Sequence, residues 1–216
     1  MLSDFHGRLL PHNECREKVK VTPNGIDVER YFKEDGLGDG ANDVGTFVYG
    51  SSPGRGLELL LVCWERIWER IRLRTGGQEA KLKIYYGFSD SFVRHGRMTR
   101  GAEVFDRWLI HMKGMLGALE GKGVEYVGMV DHETLTVGYA DAGFVLYPTT
   151  YPETGCVTLM KAMASGAVPI TSKFKQSTLP ELTGGWDKGV DLDMFDEDLF
   201  GFSLGFSLGG GGGGGG

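Results

Sequence analysis

The chain is 216 residues long, 41% hydrophobic and 24% charged, with a formal net charge of −6. That length carries a full hydrophobic core. The acidic balance argues against a nucleic-acid partner, since no basic excess is present to neutralise phosphates along a duplex. No apolar run reaches the ~18 residues of a transmembrane helix, and Met1 is followed by a polar start instead of a signal-peptide core.

Three cysteines, Cys15, Cys63 and Cys156, show neither metal-ligand spacing nor the even count of a disulfide framework, so a reducing, cytoplasmic setting is expected. His6, His12, His95, His111 and His132 show no metal pairing, and no metal or cofactor is expected. Glycine is abundant at 36 residues. Gly201-Phe202-Ser203-Leu204 repeats as Gly205-Phe206-Ser207-Leu208, and Gly209 to Gly216 are all glycine. Such a segment cannot offset its chain entropy by burial, so 191–216 is expected to be disordered. It reads either as the product of a truncated reading frame or as a flexible linker.

In chain order, 1–18 opens with helical character and reads as the remnant of a preceding domain or linker. Val19 to Thr22 is strand-like, and Pro23-Asn24-Gly25-Ile26-Asp27 is a turn. Tyr31-Phe32 is a candidate anchor onto the core. Lys33 to Asp43 is a loop, in which Gly36, Gly38 and Gly40 have the wrong spacing for a dinucleotide fingerprint. Thr46 to Gly50 is the first clear strand, and Ser51 to Gly56 the loop after it. Leu57 to about Arg74 is a long amphipathic helix, with Leu57, Leu60, Leu61, Trp64, Ile67, Trp68 and Ile71 on one stripe. Gly76-Gly77 ends it. Leu82 to Tyr86 is a strand, followed by a loop through Gly87, Ser89, Arg94, His95 and Arg97. Ala102 to Leu119 is a second long helix, apolar at Phe105, Trp108, Leu109, Met112, Met115, Leu116 and Leu119. Val124 to Val127 is a strand, and Asp131 caps a short helix.

The organising stretch is Tyr147 to Ser172. Phe144 to Tyr147, entered from Ala142-Gly143, has the apolar pattern of a buried parallel strand. Thr149 to Glu153 is a polar loop. Thr154 offers a cap for a helix from about Gly155 to Ala164, Ser165-Gly166 stops it, and Ala167 to Thr171 is a second strand. Ser177 to Leu182 forms one more helical turn, and Trp186 to Asp198 is acidic and weakly patterned. The alternation of strands and helices predicts an α/β fold: a Rossmann-like, doubly wound parallel sheet in one domain over 19–190. Ligands collect at the carboxyl edge of such sheets, where helix N-termini favour an anion. Arg55 lies in a Ser/Gly loop at that edge. Small residues let a diphosphate approach the backbone, and a guanidinium pairs with phosphate oxygens in a fork. Ser51 and Ser52 either donate hydroxyls or cap the following helix.

Four blocks together resemble the C-terminal, donor-binding half of GT-B glycosyltransferases, of the retaining group that includes sucrose- and glycogen-synthase-like enzymes. Val21 to Asp27 is similar to that group's interdomain linker. Tyr49 to Leu57 (YGSSPGRGL) resembles its first phosphate loop, including Arg55 and Gly56. Val124 to Leu135 (VEYVGMVDHETL) resembles its base-contacting strand and loop. Glu153 to Met163, with Ser165-Gly166 and Pro169-Ile170, resembles its glutamate-loop-helix motif. The match covers roughly 19–183.

The resemblance implies a nucleotide diphosphate sugar as partner and transfer of the sugar to an acceptor hydroxyl with retention. It makes Glu153 the catalytic-site carboxylate beside the donor sugar. The donor would meet Ser51, Ser52, Arg55, Gly56, Glu153, Thr154, Gly155, Cys156, Val157 and Lys161, with Gly128 and Val130 contacting the base through main chain. It also implies an N-terminal acceptor domain, which these residues lack. Two departures stand out. The group usually carries a second cation near the serine pair, and a glutamate that holds the ribose where Lys161 stands here. Lysine cannot accept hydrogen bonds from ribose hydroxyls; it reaches a phosphate or faces solvent. The competing expectation is a truncated or degenerate, non-catalytic nucleotide-binding fragment. Cys156 shows no sign of an activated thiol.

Overall fold

A computed structural model of the chain describes residues 2–9, 18–31, 43–172, 174 and 177–184. Five parallel strands form one sheet in the order β3-β2-β1-β4-β5: β1 (Asp43–Tyr49), β2 (Lys81–Tyr85), β3 (Val124–Gly128), β4 (Ala142–Tyr147) and β5 (Val168–Thr171). Phe47, Val48 and Tyr49 of β1 are all buried, as a central strand covered on both faces requires. The helices are α1 (Asp4–Arg8), α2 (Leu57–Arg74), α3 (Asp90–Arg100), α4 (Ala102–Leu119), α5 (His132–Asp141), α6 (Val157–Ala164) and α7 (Leu179–Leu182). Steps from β1 through β2 to β3 run one way across the sheet, and the step from β4 to β5 runs the other. Right-handed crossovers therefore put α2 and α4 on one face and α5 and α6 on the opposite face, and each pair packs together.

The apolar stripe of α2 goes into the core as its spacing dictates. Leu57, Leu60, Leu61 and Trp64 are buried, and Trp64 meets Phe47 edge to face at 5.7 Å. Each such side chain contributes roughly 1.5–3 kcal/mol by leaving water. The Trp64 indole N–H is satisfied by the Lys122 carbonyl at 2.9 Å. On α4, Phe105, Met112 and Leu119 are buried, and Trp108 donates to Glu58 at 2.9 Å. Asp131 caps α5, accepting from the Thr134 amide at 2.7 Å.

Several expectations are corrected. The stretch after β2 is not all loop: Ser89 caps α3, accepting from the Phe92 amide at 3.2 Å. Gly96 lies inside that helix because Phe105 rests on it; a Cβ there would come within 2.0 Å of the ring. Residues 19–22 form no strand. β2 stops at Tyr85, and Tyr86 leaves the alternation with φ +85°, the one non-glycine residue at positive φ among those described. The first helix folds back on the domain. Phe5 is buried, and the Glu181 carboxylate accepts from the Asp4 and Phe5 amides at 3.1 and 3.0 Å. Among the described residues no helix is long and apolar enough to cross a membrane. The expectations for Cys15, His12, Phe32, the Lys33 to Asp43 loop (apart from Asp43, which opens β1), 186–198 and the Gly-rich tail lie outside the described residues.

Candidate functional site

The sheet reverses its winding between β1 and β4, and the loops leaving those two strands meet there. Gly56 is the closest junction. Its φ is +96°, and a Cβ on it would lie 2.1 Å from the Pro148 carbonyl oxygen, so only glycine lets the loops touch. The first loop is tied down at its turn. The Ser52 carbonyl accepts from the Tyr49 hydroxyl at 2.7 Å and from the Arg55 amide at 2.9 Å. The second loop is folded on itself. The Tyr151 amide donates to Thr149 Oγ1 at 3.0 Å, the Glu153 amide donates to the Tyr151 carbonyl at 2.9 Å, and the Thr178 amide donates to the Glu153 carbonyl at 2.8 Å.

Between these loops Arg55 Nη1 meets Glu153 Oε1 at 2.5 Å, although the residues are 98 apart in sequence. The Tyr147 hydroxyl donates to the same oxygen at 2.7 Å. The Arg55 guanidinium lies over the Tyr151 ring, 3.5 Å from its centroid, a cation–π contact that orients the fork. Ser51 Oγ approaches the Tyr147 hydroxyl at 3.4 Å. Glu153 is 7% exposed, whereas the Arg55 side chain is 32% exposed. The carboxylate is thus the buried partner and the guanidinium the one facing outward. Burial holds the Tyr147 phenol well above its ordinary value, so it remains a donor to Glu153. Burial likewise pushes the Cys156 thiol up to about 11, which leaves it protonated and without nucleophilic character at neutral pH.

Ser51, Ser52, Arg55, Gly56 and Glu153 therefore converge, with 154–157 leading directly into α6. The helix begins later than expected. Thr154 does not cap it; Cys156 occupies the N-cap in extended conformation (φ −109°, ψ 91°) with no side-chain cap bond. The Glu153 carbonyl is held by Thr178, which keeps the chain extended past Thr154. Gly155 faces the N-terminal segment: a Cβ there would lie 2.9 Å from Asn24 Nδ2 and 3.3 Å from Leu2 Cβ. Ser51 and Ser52 do not cap α2, whose N-cap is Gly56. Lys161 sits in the second turn of α6, half-buried, with no ion pair among the described residues. Gly128 and Val130 share the carboxyl edge but lie at and just past the end of β3, two strands from β1. Gly128 has φ +81° and its carbonyl accepts from the Tyr86 amide at 2.8 Å. Phe88 borders a separate hollow of about 370 Å³ with Lys113, Leu116 and Tyr126. Among the described residues no group of three His, Cys, Asp or Glu is placed to hold a metal ion.

Three residues of the site escaped sequence reasoning. Tyr147 and Tyr151 read as a strand end and a loop aromatic, and nothing in their spacing signals contact with Arg55. Arg100 closes α3, and its Nη2 lies 4.0 Å from the position a Cβ on Gly54 would take, while its guanidinium sits 5.7 Å from the Trp108 ring. It brings a second guanidinium to the Ser/Gly loop from a helix the sequence did not reveal.

No family profile and no curated protein matches the chain, but solved structures do. Trehalose-6-phosphate synthase OtsA superposes with a TM-score of 0.59 at 16% identity, over 88% of this chain and 44% of that one. The sucrose-phosphate synthase of Thermosynechococcus elongatus gives 0.51 at 20% identity, over 74% and 36%. Anabaena HepE, in complex with UDP and glucose, gives 0.51 at 15% identity, over 74% and 40%. The fold is that of one half of a GT-B glycosyltransferase. The chain spans less than half the length of each of these neighbours. At such identities the likeness fixes the GT-B half as architecture alone.

Proposed function

We propose that the junction of β1 and β4 is the donor site of a glycosyltransferase that takes a nucleotide diphosphate sugar and passes the sugar to an acceptor hydroxyl with retention. The observation that carries this reading is the convergence of Arg55 and Glu153 across the winding reversal. An anion-binding fork and a buried carboxylate, side by side at a sheet's carboxyl edge, match a ligand that is phosphate on one side and polyol on the other. The Anabaena neighbour, solved with UDP and glucose, supports that choice of ligand.

In this reading Arg55 pairs with the diphosphate, and the uncapped amides opening α6 favour the charge that builds on the leaving group. Glu153 orients the sugar hydroxyls and counters positive charge developing at the anomeric carbon. The bond from that carbon to the diphosphate oxygen breaks, and the bond to the acceptor oxygen forms as the acceptor hydroxyl passes its proton to the departing diphosphate oxygen. The acceptor would be presented by a separate domain, as the resemblance implies.

A non-catalytic reading is favoured by one observation. Lys161 stands where the resemblance expects a ribose-holding glutamate, and an ammonium offers no acceptor to ribose hydroxyls. Calorimetric titration with UDP, GDP and ADP separates the two. The donor-site reading predicts saturable binding of one of them, weakened about 10- to 100-fold in Arg55→Ala, the range expected for losing charge-assisted hydrogen bonds. A folded protein that binds none of the three, nor any of their sugar-bearing forms, overturns it in favour of the non-catalytic reading.

A further inference from the structure

We propose that the Arg55–Glu153 pair makes this site selective for ligands that carry an anion and hydroxyl donors together, so that it discriminates against the bare nucleoside diphosphate. The proposal rests on the donor-site reading above and adds a specificity that the resemblance does not supply.

Arg55, the group best placed to receive a phosphate, is engaged by Glu153 at 2.5 Å and held over the Tyr151 ring at 3.5 Å. A phosphate that takes the guanidinium must draw it off the carboxylate. Glu153, 7% exposed with Arg55 in place, then keeps the Tyr147 hydroxyl at 2.7 Å as its remaining donor among the described residues. Separating one partner from a buried ion pair is strongly unfavourable, because the other charge stays desolvated and uncompensated. Tyr147 keeps its proton and brings no positive charge.

The two ligands differ in how they meet that carboxylate. A sugar attached to the diphosphate presents hydroxyl donors, which can satisfy Glu153 as Arg55 moves over to the phosphates. A bare diphosphate presents none. Its terminal phosphate also carries an additional negative charge, next to a carboxylate in a poorly solvated place. The same geometry therefore favours uptake of the sugar-bearing ligand and release of the diphosphate left after transfer. Arg55 alone, without Glu153, would prefer the more highly charged ligand.

The test is calorimetry on the full chain with UDP and UDP-glucose, or the matching pair for whichever base binds, in the wild type and in Glu153→Gln. Glutamine is close to isosteric and removes the charge while retaining an acceptor. The wild type is expected to bind the sugar nucleotide about tenfold more tightly than the bare diphosphate. Glu153→Gln is expected to bind the bare diphosphate about tenfold more tightly than the wild type does, and to lose most of the preference. Should Glu153→Gln fail to fold, the wild-type preference remains decisive, and equal or tighter binding of the bare diphosphate overturns the proposal. Unchanged or weaker diphosphate binding in a folded Glu153→Gln, with the sugar nucleotide still bound by the wild type, sinks the selectivity alone. Binding of neither ligand by either protein sinks the donor-site reading and the selectivity with it.

Discussion

Gly56 is the residue on which the two loops of the site are closed, and replacing it with alanine isolates that closure. At φ +96° an alanine costs about 1–2 kcal/mol for the left-handed backbone. Its Cβ would also lie 2.1 Å from the Pro148 oxygen and 3.0 Å from Thr149 Cα, both backbone atoms that no rotamer change can move. Overpacking of that kind adds about 1–3 kcal/mol, so Gly56→Ala should lose about 2–5 kcal/mol. Gly76 is the internal control. Its φ is +73°, but nothing lies within 4 Å of its Cβ position, so Gly76→Ala should show the backbone cost alone. Urea denaturation followed by circular dichroism measures both. With a slope of about 2 kcal/mol per M, Gly56→Ala should unfold about 1–2.5 M earlier than the wild type. If the two variants fall within about 0.5 kcal/mol of each other, the loops do not meet at Gly56 and the reasoning fails.

Other outcomes follow from the same geometry. Arg100→Gln should weaken binding of a nucleoside diphosphate by about two- to fivefold while leaving a nucleoside unaffected, and the difference should shrink at high salt; calorimetry at two salt concentrations checks this, and equal loss for both ligands would mean that Arg100 acts only through Trp108. The Cys156 thiol, raised to about 11 by burial, should resist iodoacetamide from pH 7 to 9 in the folded protein and react once it is unfolded in urea, as peptide mass mapping would show.

How much of this could be read from sequence depends on the range of the interaction. The stripes of α2 and α4 are local repeats with large apolar side chains, so their spacing alone specified helix and buried face. The strands β1 and β4 are short apolar runs between turn residues, and the alternation with helices implied the parallel sheet. The α3 helix carries no such signal, because its surface is polar and its one buried position is Gly96, which has no side chain to mark an apolar face. The start of α6 was placed two residues early because Thr154 is a good cap by type. What decides the matter is an amide of Thr178, 25 residues past Glu153, holding the Glu153 carbonyl. Val19 to Thr22 carries β-branched residues but gains no partner strand. Arg55 and Glu153 were each legible as site residues from their loops. That they pair with each other, under Tyr147 and Tyr151, depends on the order of strands in the sheet, which no local pattern encodes.

The account stands most directly on where a nucleotide diphosphate sugar touches the chain. Backbone amide shifts recorded by NMR during titration with UDP-glucose would locate it. The largest changes are expected on 51–56 and 149–157, together with movement of the Arg55 side-chain signal as it leaves Glu153. Changes confined to the hollow beside Phe88 and Tyr126, with the β1 and β4 loops unmoved, would contradict it.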